Sequence, residues 1–373
     1  MSIGQILQNT GGYKSFVPAS FPTEEILHLS PEIIAKAATA ERLIGKLDGI
    51  THTLPYANFF ISMYILKDAT YSAQIEGTKA TMMDALELEA GFQSHETDAD
   101  DILFYIKALN YGIARLTDFP ISLRFIRELH KELMTNARSS HFSDPGEFRR
   151  SQNWIGGTNL QNAAYVPPTT EDMQKALTDL GVFIHRTDII PIVHAALTHA
   201  QFETIHPFLD GNGRTGRLII SLFLYQRQIL EKPVLFLSSY FKKHQQLYYQ
   251  KLDGYHNNQV NEWLNFFLDA VIETANESIE TSKKITSLIE TDMRKIQALG
   301  KREATSGVVL LQSLFKTPLV TSASAARIMK YTRTGAQKVI DRFIELDILQ
   351  PRSETEKYGK TFFYKKYVDI FNN

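Results

Sequence analysis

An apolar stripe of helical period recurs along most of this chain, and it leaves few folds open. Pro31 to Lys46 places Ile33, Ile34, Ala37, Ala38 and Leu43 along one side of a 3.6-residue repeat. Asn58 to Glu76 repeats the pattern and stops at Gly77, a residue suited to the position after a helix end. Asp100 to Thr117, Ser122 to Asn136, Glu171 to His185 and Pro191 to Ile205 follow in the same style. The last of these opens on a first-turn proline and shows an apolar face of Ile192, Val193, Ala196, Leu197 and Ala200. Leu218 to Leu230 is a further apolar helix, and the charged stretch Asn276 to Arg302 reads as a connecting one. Such a chain buries helix against helix, so the expected class is mainly α.

Two regions depart from that period. Ser151 to Pro168 (SQNWIGGTNLQNAAYVPP) is rich in Asn, Gly and Pro, with extended pieces at Trp154–Ile155 and Ala164–Val166, and is predicted to be a loop or hairpin. Beyond Ser306 the elements shorten. A helix over Gly307 to Leu314, a helix pair Ser322 to Met329 and Thr334 to Leu346 about the turn Lys330–Thr332, and two strands within Ile348 to Tyr367 around Glu356–Gly359 have the order of a winged helix-turn-helix.

Composition enters as a set of exclusions. With 43% apolar and 22% charged residues over 373 positions, the chain is globular and long enough for two or three domains. There are no cysteines, which rules out disulfides, thiolate zinc sites and a thiol nucleophile. The opening MSIGQILQNTGGYKSF lacks the layout of a secretory signal, and the apolar run Leu218 to Tyr225 is too short to span a membrane, so a cytoplasmic protein without a membrane partner is expected. Net charge is −1, but residues 301–373 hold 13 Lys+Arg against 7 Asp+Glu, which is +6 on the tail and −7 on the rest. A basic tail suits nucleic acid or an acidic surface; a solvated face is the other reading.

The chemistry concentrates in His206-Pro-Phe-Leu-Asp-Gly-Asn-Gly-Arg-Thr-Gly-Arg217. Gly211 and Gly213 clear side chains from both sides of Asn212, so backbone N–H groups can approach a ligand. A glycine turn feeding a helix N-terminus is an anion site. Arg214 and Arg217 oppose the usual preference for acids in a first turn, which implies a strongly anionic ligand. Asp210 could hold a divalent cation against phosphates. His206, with an unperturbed pKa of ~6.5, is suited to accept a hydroxyl proton. Each part alone is commonplace; together they form a base, a metal ligand and a phosphate nest.

HPFLDGNGRTGR resembles the signature of the Fic family, His-x-Phe-x-Asp/Glu-Gly-Asn-Gly-Arg-x-x-Arg, at every defined position, and the likeness extends over roughly residues 30 to 270. The resemblance implies a Fic-type helical core with a β-hairpin flap, which transfers AMP from ATP, with Mg2+, to a Ser, Thr or Tyr hydroxyl of a target protein or of itself. His206 would be the base and Asp210 the magnesium ligand. Gly211, Asn212 and Gly213 would form the anion hole, and Thr215 and Gly216 belong to the same ATP-binding stretch. Arg214 and Arg217 would hold the β- and γ-phosphates, Phe208 would anchor the loop, and Tyr248 would pack the base. Ile155, Gly156, Gly157 and Thr158 would form the flap that aligns the target.

A second motif, Ser72-Ala-Gln-Ile-Glu76-Gly77, resembles the family's inhibitory pattern. Glu76 closes a helix, where a negative charge opposes the dipole and calls for a cation. The resemblance supplies that cation as Arg217, so that Glu76 would displace the γ-phosphate; Glu76 could also serve the reverse removal of AMP.

The expected organisation is an N-terminal helical region over 1–110 with the inhibitory helix at about 58–77, a catalytic core over 111–275, a connecting helix over 276–302 and a winged helix-turn-helix over 303–373. The rival function is a DNA-binding regulator reading through Arg333, Gln337 and Lys338, with Lys357 and Lys360 on the wing. DNA and a protein are both candidate partners of that region, and a homodimer is a candidate assembly. His194 and His199, five apart, diverge by about 140° on a helix and make a poor metal pair.

Overall fold

The computed structural model describes residues 3–54, 57–91, 98–137, 144–352 and 360–372. Helices dominate, as the period requires. They run α1 (Glu24–Leu27), α2 (Pro31–Thr53), α3 (Ala57–Ile75), α4 (Met82–Glu89), α5 (Ala99–Arg115), α6 (Leu123–Met134), α7 (Thr170–Phe183), α8 (Pro191–Ile205) and α9 (Asn212–Gln226). Then come α10 (Ser238–Lys243), α11 (Gln245–His256), α12 (Val260–Gln297) and α13 (Lys301–Lys316). The chain closes with β3 (Leu319–Thr321), α14 (Ser322–Met329), α15 (Arg333–Glu345), β4 (Gln350–Pro351), β5 (Thr361–Phe363) and α16 (Lys365–Asn372). Ahead of them β1 (Gly4–Gln8) and β2 (Lys14–Pro18) form an antiparallel hairpin, with Gly4 opposite Pro18 and Gln8 opposite Lys14.

Local chemistry sets several boundaries. Ser30 caps α2 by accepting from the Ile33 N–H, and Pro31 occupies the first turn. Thr81 and Asp84 form a capping box at α4. Helices α8 and α9 pack as a pair at the centre, α2 lies along α12, and α3 threads between α5 and α10. Because α3 is surrounded, its buried charged residues are partnered. Asp68 accepts from Tyr105 Oη at 2.7 Å and from the Ser238 N–H at 3.0 Å, and Lys67 meets Glu277 at 2.5 Å. His194 and His199 are fully buried, the first against the Phe183 carbonyl and the second against Tyr248 Oη, as core histidines. No helix among the described residues is long and apolar enough to cross a membrane.

Four features differ from the sequence expectation. Helix α9 starts at Asn212, six residues before the apolar run at Leu218, so the glycine-rich motif is itself the first turns of the helix. The hydrophobic period could not show this, because those turns are made of Gly, Thr and Arg. Helix α12 starts at Val260, well before Asn276. The tail is not simply two strands: a third strand, β3, pairs with β5 in the sheet order β3-β5-β4, and α16 takes over at Lys365. The expected turn at Glu356–Gly359, with Lys357, lies outside the described residues. The N-terminal hairpin carried no alternation strong enough to be read, since its β1 face is mostly exposed.

Candidate active site

The motif lies at the junction of α8 and α9. Helix α8 ends at His206, whose backbone is left-handed (φ 48°). The loop Pro207 to Gly211 then re-enters α9, with Gly211 as N-cap at φ 77°. Gly211 has two reasons to be glycine: the left-handed backbone, and Met134 Sδ, which would lie 2.7 Å from a Cβ. No side chain caps α9, so its first N–H groups stay open to a ligand.

The loop is held from below. Asn212 Oδ1 accepts from the Phe208 N–H and Asn212 Nδ2 donates to the Phe208 carbonyl, both at 2.8 Å. The Asn212 side chain therefore shapes the loop, and what it leaves for an anion is its backbone. Phe208 is fully buried and stacked on His130 at 3.7 Å. His130 Nδ1 accepts from the Gly146 N–H at 2.9 Å, which leaves Nε2–H to donate to the Asp210 carbonyl at 2.9 Å. Burial lowers the His130 pKa to about 4, so it stays neutral in this role.

A cavity of about 670 Å³ opens over this loop, a volume suited to a small-molecule substrate. It is lined by His206, Asp210, Gly211, Asn212, Gly213 and Arg217 from the motif, and by Glu76 from beyond the end of α3. Burial holds His206 down to about 4, with the Arg149 charge adding and Glu76 opposing, so its imidazole is unprotonated at neutral pH. Its Nδ1 lies 3.8 Å from Glu203 Oε2. Burial pushes Glu203 itself up to about 8, against the pull of Arg217. The Asp210 carboxylate is half-exposed; one oxygen accepts from the Gly211 N–H at 2.6 Å.

Arg217 is buried, and its Nε donates to Ser72 Oγ at 2.8 Å, while Nη2 reaches the Ser72 carbonyl at 3.0 Å and Glu76 Oε1 at 2.7 Å. Burial works against its charge, but Glu76 and its other neighbours outweigh that and raise its pKa. Glu76 Oε1 also crowds the helix N-terminus, standing 2.3 Å from where a Cβ on Gly213 would be. Gly77, at φ 96°, lets the chain turn away immediately after. Ser72 and Glu76 thus meet Arg217, and Glu76 the start of α9, with Glu76 and Arg217 141 residues apart.

The flap is a loop pinned by one antiparallel bridge, Ile155 to Tyr165, with Ile155 N–H donating to the Tyr165 carbonyl at 2.8 Å. Gly156 and Gly157 both have left-handed backbones (φ 66° and 70°), and Asn162 ties Thr158 and Asn159 into the turn. Trp154, Ile155 and Gly156 line the cavity, whereas Gly157 and Thr158 lie outside its lining.

Three expected contacts differ. Thr215 is fully buried, and Gly216 faces Glu203 and His199, whose atoms would stand 2.5 and 3.1 Å from a Cβ; both look inward because a helix can turn only one side to the cavity. Arg214 sits beneath Asp210, 3.8 Å from its carboxylate and 4.0 Å from Asp101, and is not part of the lining. Tyr248 does line the cavity, but it is buried in a cluster with Phe241 and Trp263, and its hydroxyl is 2.8 Å from His199 Nε2; half-exposed Tyr249 adjoins it.

Sequence reasoning missed Arg149. It is buried and donates to the carbonyls of His206 at 3.0 Å, Ser151 at 3.2 Å and Pro168 at 2.5 Å, stapling both ends of the flap to the motif. Nothing local marks it, as its acceptors come from three separated segments. Tyr165 and His256, stacked at 4.2 Å on the cavity wall, were missed for the same reason. Glu203 could have been found, since it stands one helical turn before His206.

The family models described as Fic/DOC family and Fic/DOC family N-terminal match residues 120–224 and 34–114. Among curated relatives, the protein adenylyltransferase Fic of Aedes aegypti is 25% identical over 60% of this chain and 41% of its own length. That of Drosophila virilis is 28% identical over 60% of this chain and 45% of its own. The chain therefore spans less than half the length of each of these relatives. A solved Fic family protein from Desulfovibrio desulfuricans G20 superposes with a TM-score of 0.58 over 90% of this chain and 96% of the other, at 17% identity. A Fic domain containing signaling protein from Bacteroides thetaiotaomicron VPI-5482 gives 0.52 over 65% and 97%, at 20% identity. At these identities the structural likeness concerns the fold.

Proposed function

The chain belongs to the Fic/DOC family, and from that premise we propose that it is a protein adenylyltransferase, restrained by Glu76. The observation that carries the reading is the convergence of an unprotonated His206, the Asp210 carboxylate, the open N-terminus of α9 and Arg217 on one cavity bounded by a flap. The curated relatives bear the name of that activity.

The target hydroxyl attacks the α-phosphorus of ATP; the new bond is oxygen to Pα, the bond to the bridging α–β oxygen breaks, and pyrophosphate leaves. His206 takes the hydroxyl proton, a contribution of ~10²–10⁴-fold. The backbone N–H groups at the start of α9 bind the charge that grows on the phosphate oxygens, and Arg217 binds the outer phosphates. The donor set around Asp210 fits magnesium: one half-exposed carboxylate beside a phosphate site is the usual protein share for that ion. When bound, magnesium would neutralise phosphate charge. The flap offers the backbone of Trp154 and Gly156, on either side of the bridged Ile155, for pairing with the target segment.

Glu76 occupies Arg217, and nucleotide binding with the outer phosphates in place requires that pair to open. The reading is tested with ATP labelled at either the α- or the γ-phosphate. Label from the α-position should enter protein, vanish in His206→Ala, and never arrive from the γ-position. Transfer of the γ-label would make the protein a phosphotransferase and end this reading.

A further inference from the structure

The C-terminal elements follow the order α13-β3-α14-α15-β4-β5, with β5 between β3 and β4. The site over α9 uses none of them. Helix α15 turns Ala336, Ile340 and Phe343 inward and leaves Arg333, Thr334 and Lys338 exposed. The turn before it is fixed rather than loose. Lys330 adopts a left-handed backbone (φ 56°), and Thr332 caps α15 by accepting from the Gly335 N–H at 3.2 Å. A groove of about 550 Å³ at this turn is lined by Ala323, Ala326, Arg327, Lys330, Tyr331 and Arg333, with no acidic residue among them.

We propose that this face, built from Arg327, Lys330, Arg333 and Lys338, docks on duplex DNA, with the first turns of α15 in the major groove. A helix of this length presented by its N-terminal half fits a groove ~12 Å wide. Two observations select the partner. The first is where charge has been left unneutralised. Arg342, Arg352, Lys365 and Lys366 are each tied to a carboxylate, whereas none of the four cations of the face has an ion-pair partner among the described residues. The second is what the face lacks. None of the exposed large hydrophobic residues among the described residues lies on α14 or α15, and the aromatic that lines the groove, Tyr331, is packed partly into the core, so the face offers a protein partner little exposed apolar surface. Phosphates need only cations and backbone donors. Gln337 is not free to read a base: it accepts from Ser322 Oγ and donates to Asp341 at 2.7 Å. Binding is therefore dominated by the backbone of the nucleic acid, with weak sequence preference.

The test is fluorescence anisotropy of the full chain with a mixed-sequence duplex of about two helical turns. Four phosphate contacts give a log–log salt slope of about −3.6, a roughly 10²-fold loss of affinity between ~50 and ~200 mM salt. Lys330→Ala with Arg333→Ala should make the slope shallower by about 2 while thermal unfolding and AMP transfer stay unchanged. Should that pair prove unstable, Lys338→Ala alone, on an exposed helix face, should lower the slope by ~1. Absence of binding at low salt, or binding whose slope ignores these substitutions, overturns the proposal. So does poly-glutamate that competes as well as DNA of equal charge, which would make an acidic protein the partner. The anisotropy and competition readouts do not depend on whether the cavity over α9 transfers AMP.

Discussion

On the proposed reading, two demands compete for the guanidinium of Arg217. A charge-assisted hydrogen bond to Glu76 contributes about 1.5–3 kcal/mol, which corresponds to roughly 10–100-fold in affinity for a triphosphate seeking the same arginine. Glu76→Gly should therefore raise self-labelling from α-labelled ATP by about that factor; unchanged or reduced labelling would remove the inhibitory role. Because the Glu76 charge raises the His206 pKa, the same variant should move the acid limb of the labelling rate to lower pH. A rate-versus-pH series on both proteins measures this. Gly211 is the backbone counterpart. Gly211→Ala meets both a left-handed φ and Met134, so a cost on the order of 1–3 kcal/mol and loss of labelling are expected from denaturant unfolding and the same assay.

Among the elements, the flap is closed by a single antiparallel bridge, Ile155 to Tyr165. Arg149 ties both ends of the flap to the motif, with Asn153 donating to the Phe208 carbonyl at 2.9 Å and Tyr165 to the Thr204 carbonyl at 2.8 Å; Arg149 remains charged although burial lowers its pKa to about 10. Arg149→Met would leave the carbonyls of His206, Ser151 and Pro168 without that donor, at about 1–3 kcal/mol for each group that water cannot reach. The expected kinetic signature is a KM for the protein target that rises well beyond any change in the KM for ATP. Equal increases would show that Arg149 serves the nucleotide loop and not the flap.

Taken whole, the C-terminal elements are bolted to α3 and α4, the helices on either side of Glu76. Phe371 of α16 packs edge-on against Tyr64 of α3 at 5.4 Å, and Arg352 pairs with buried Glu87 of α4 at 2.7 Å. Arg352→Ala removes one charge-assisted hydrogen bond to a buried carboxylate and should cost about 1.5–3 kcal/mol, visible as a lowered Tm. Acid should also unfold the protein early. His130, His194, His199, His206 and His256 are all held below 6.5 by burial, down to about 3 or 4. Between those values and 6.5 the unfolded chain binds more protons, so stability falls as pH drops through that window. Glu203, raised to about 8, and Asp68 and Glu41, also raised by burial, act in the opposite sense but are outnumbered. Thermal scans from pH 7 to about 4 should show the midpoint falling throughout.

The helical class, most helix positions and the residues of the two motifs were legible in order along the chain, because apolar period and glycine placement are local properties. Proximity is not. That Ser72 and Glu76 reach Arg217, that Arg149 ties three carbonyls to one point and that Thr215 and Gly216 turn inward follow from how α3, α8 and α9 pack. The start of α9 was missed for a related reason: its first turns are held by Asn212, Phe208 and His130, contacts that exist only once the helices have met. A repeat along the chain fixes which side of a helix is apolar, and only burial against other helices decides which polar groups then face one another.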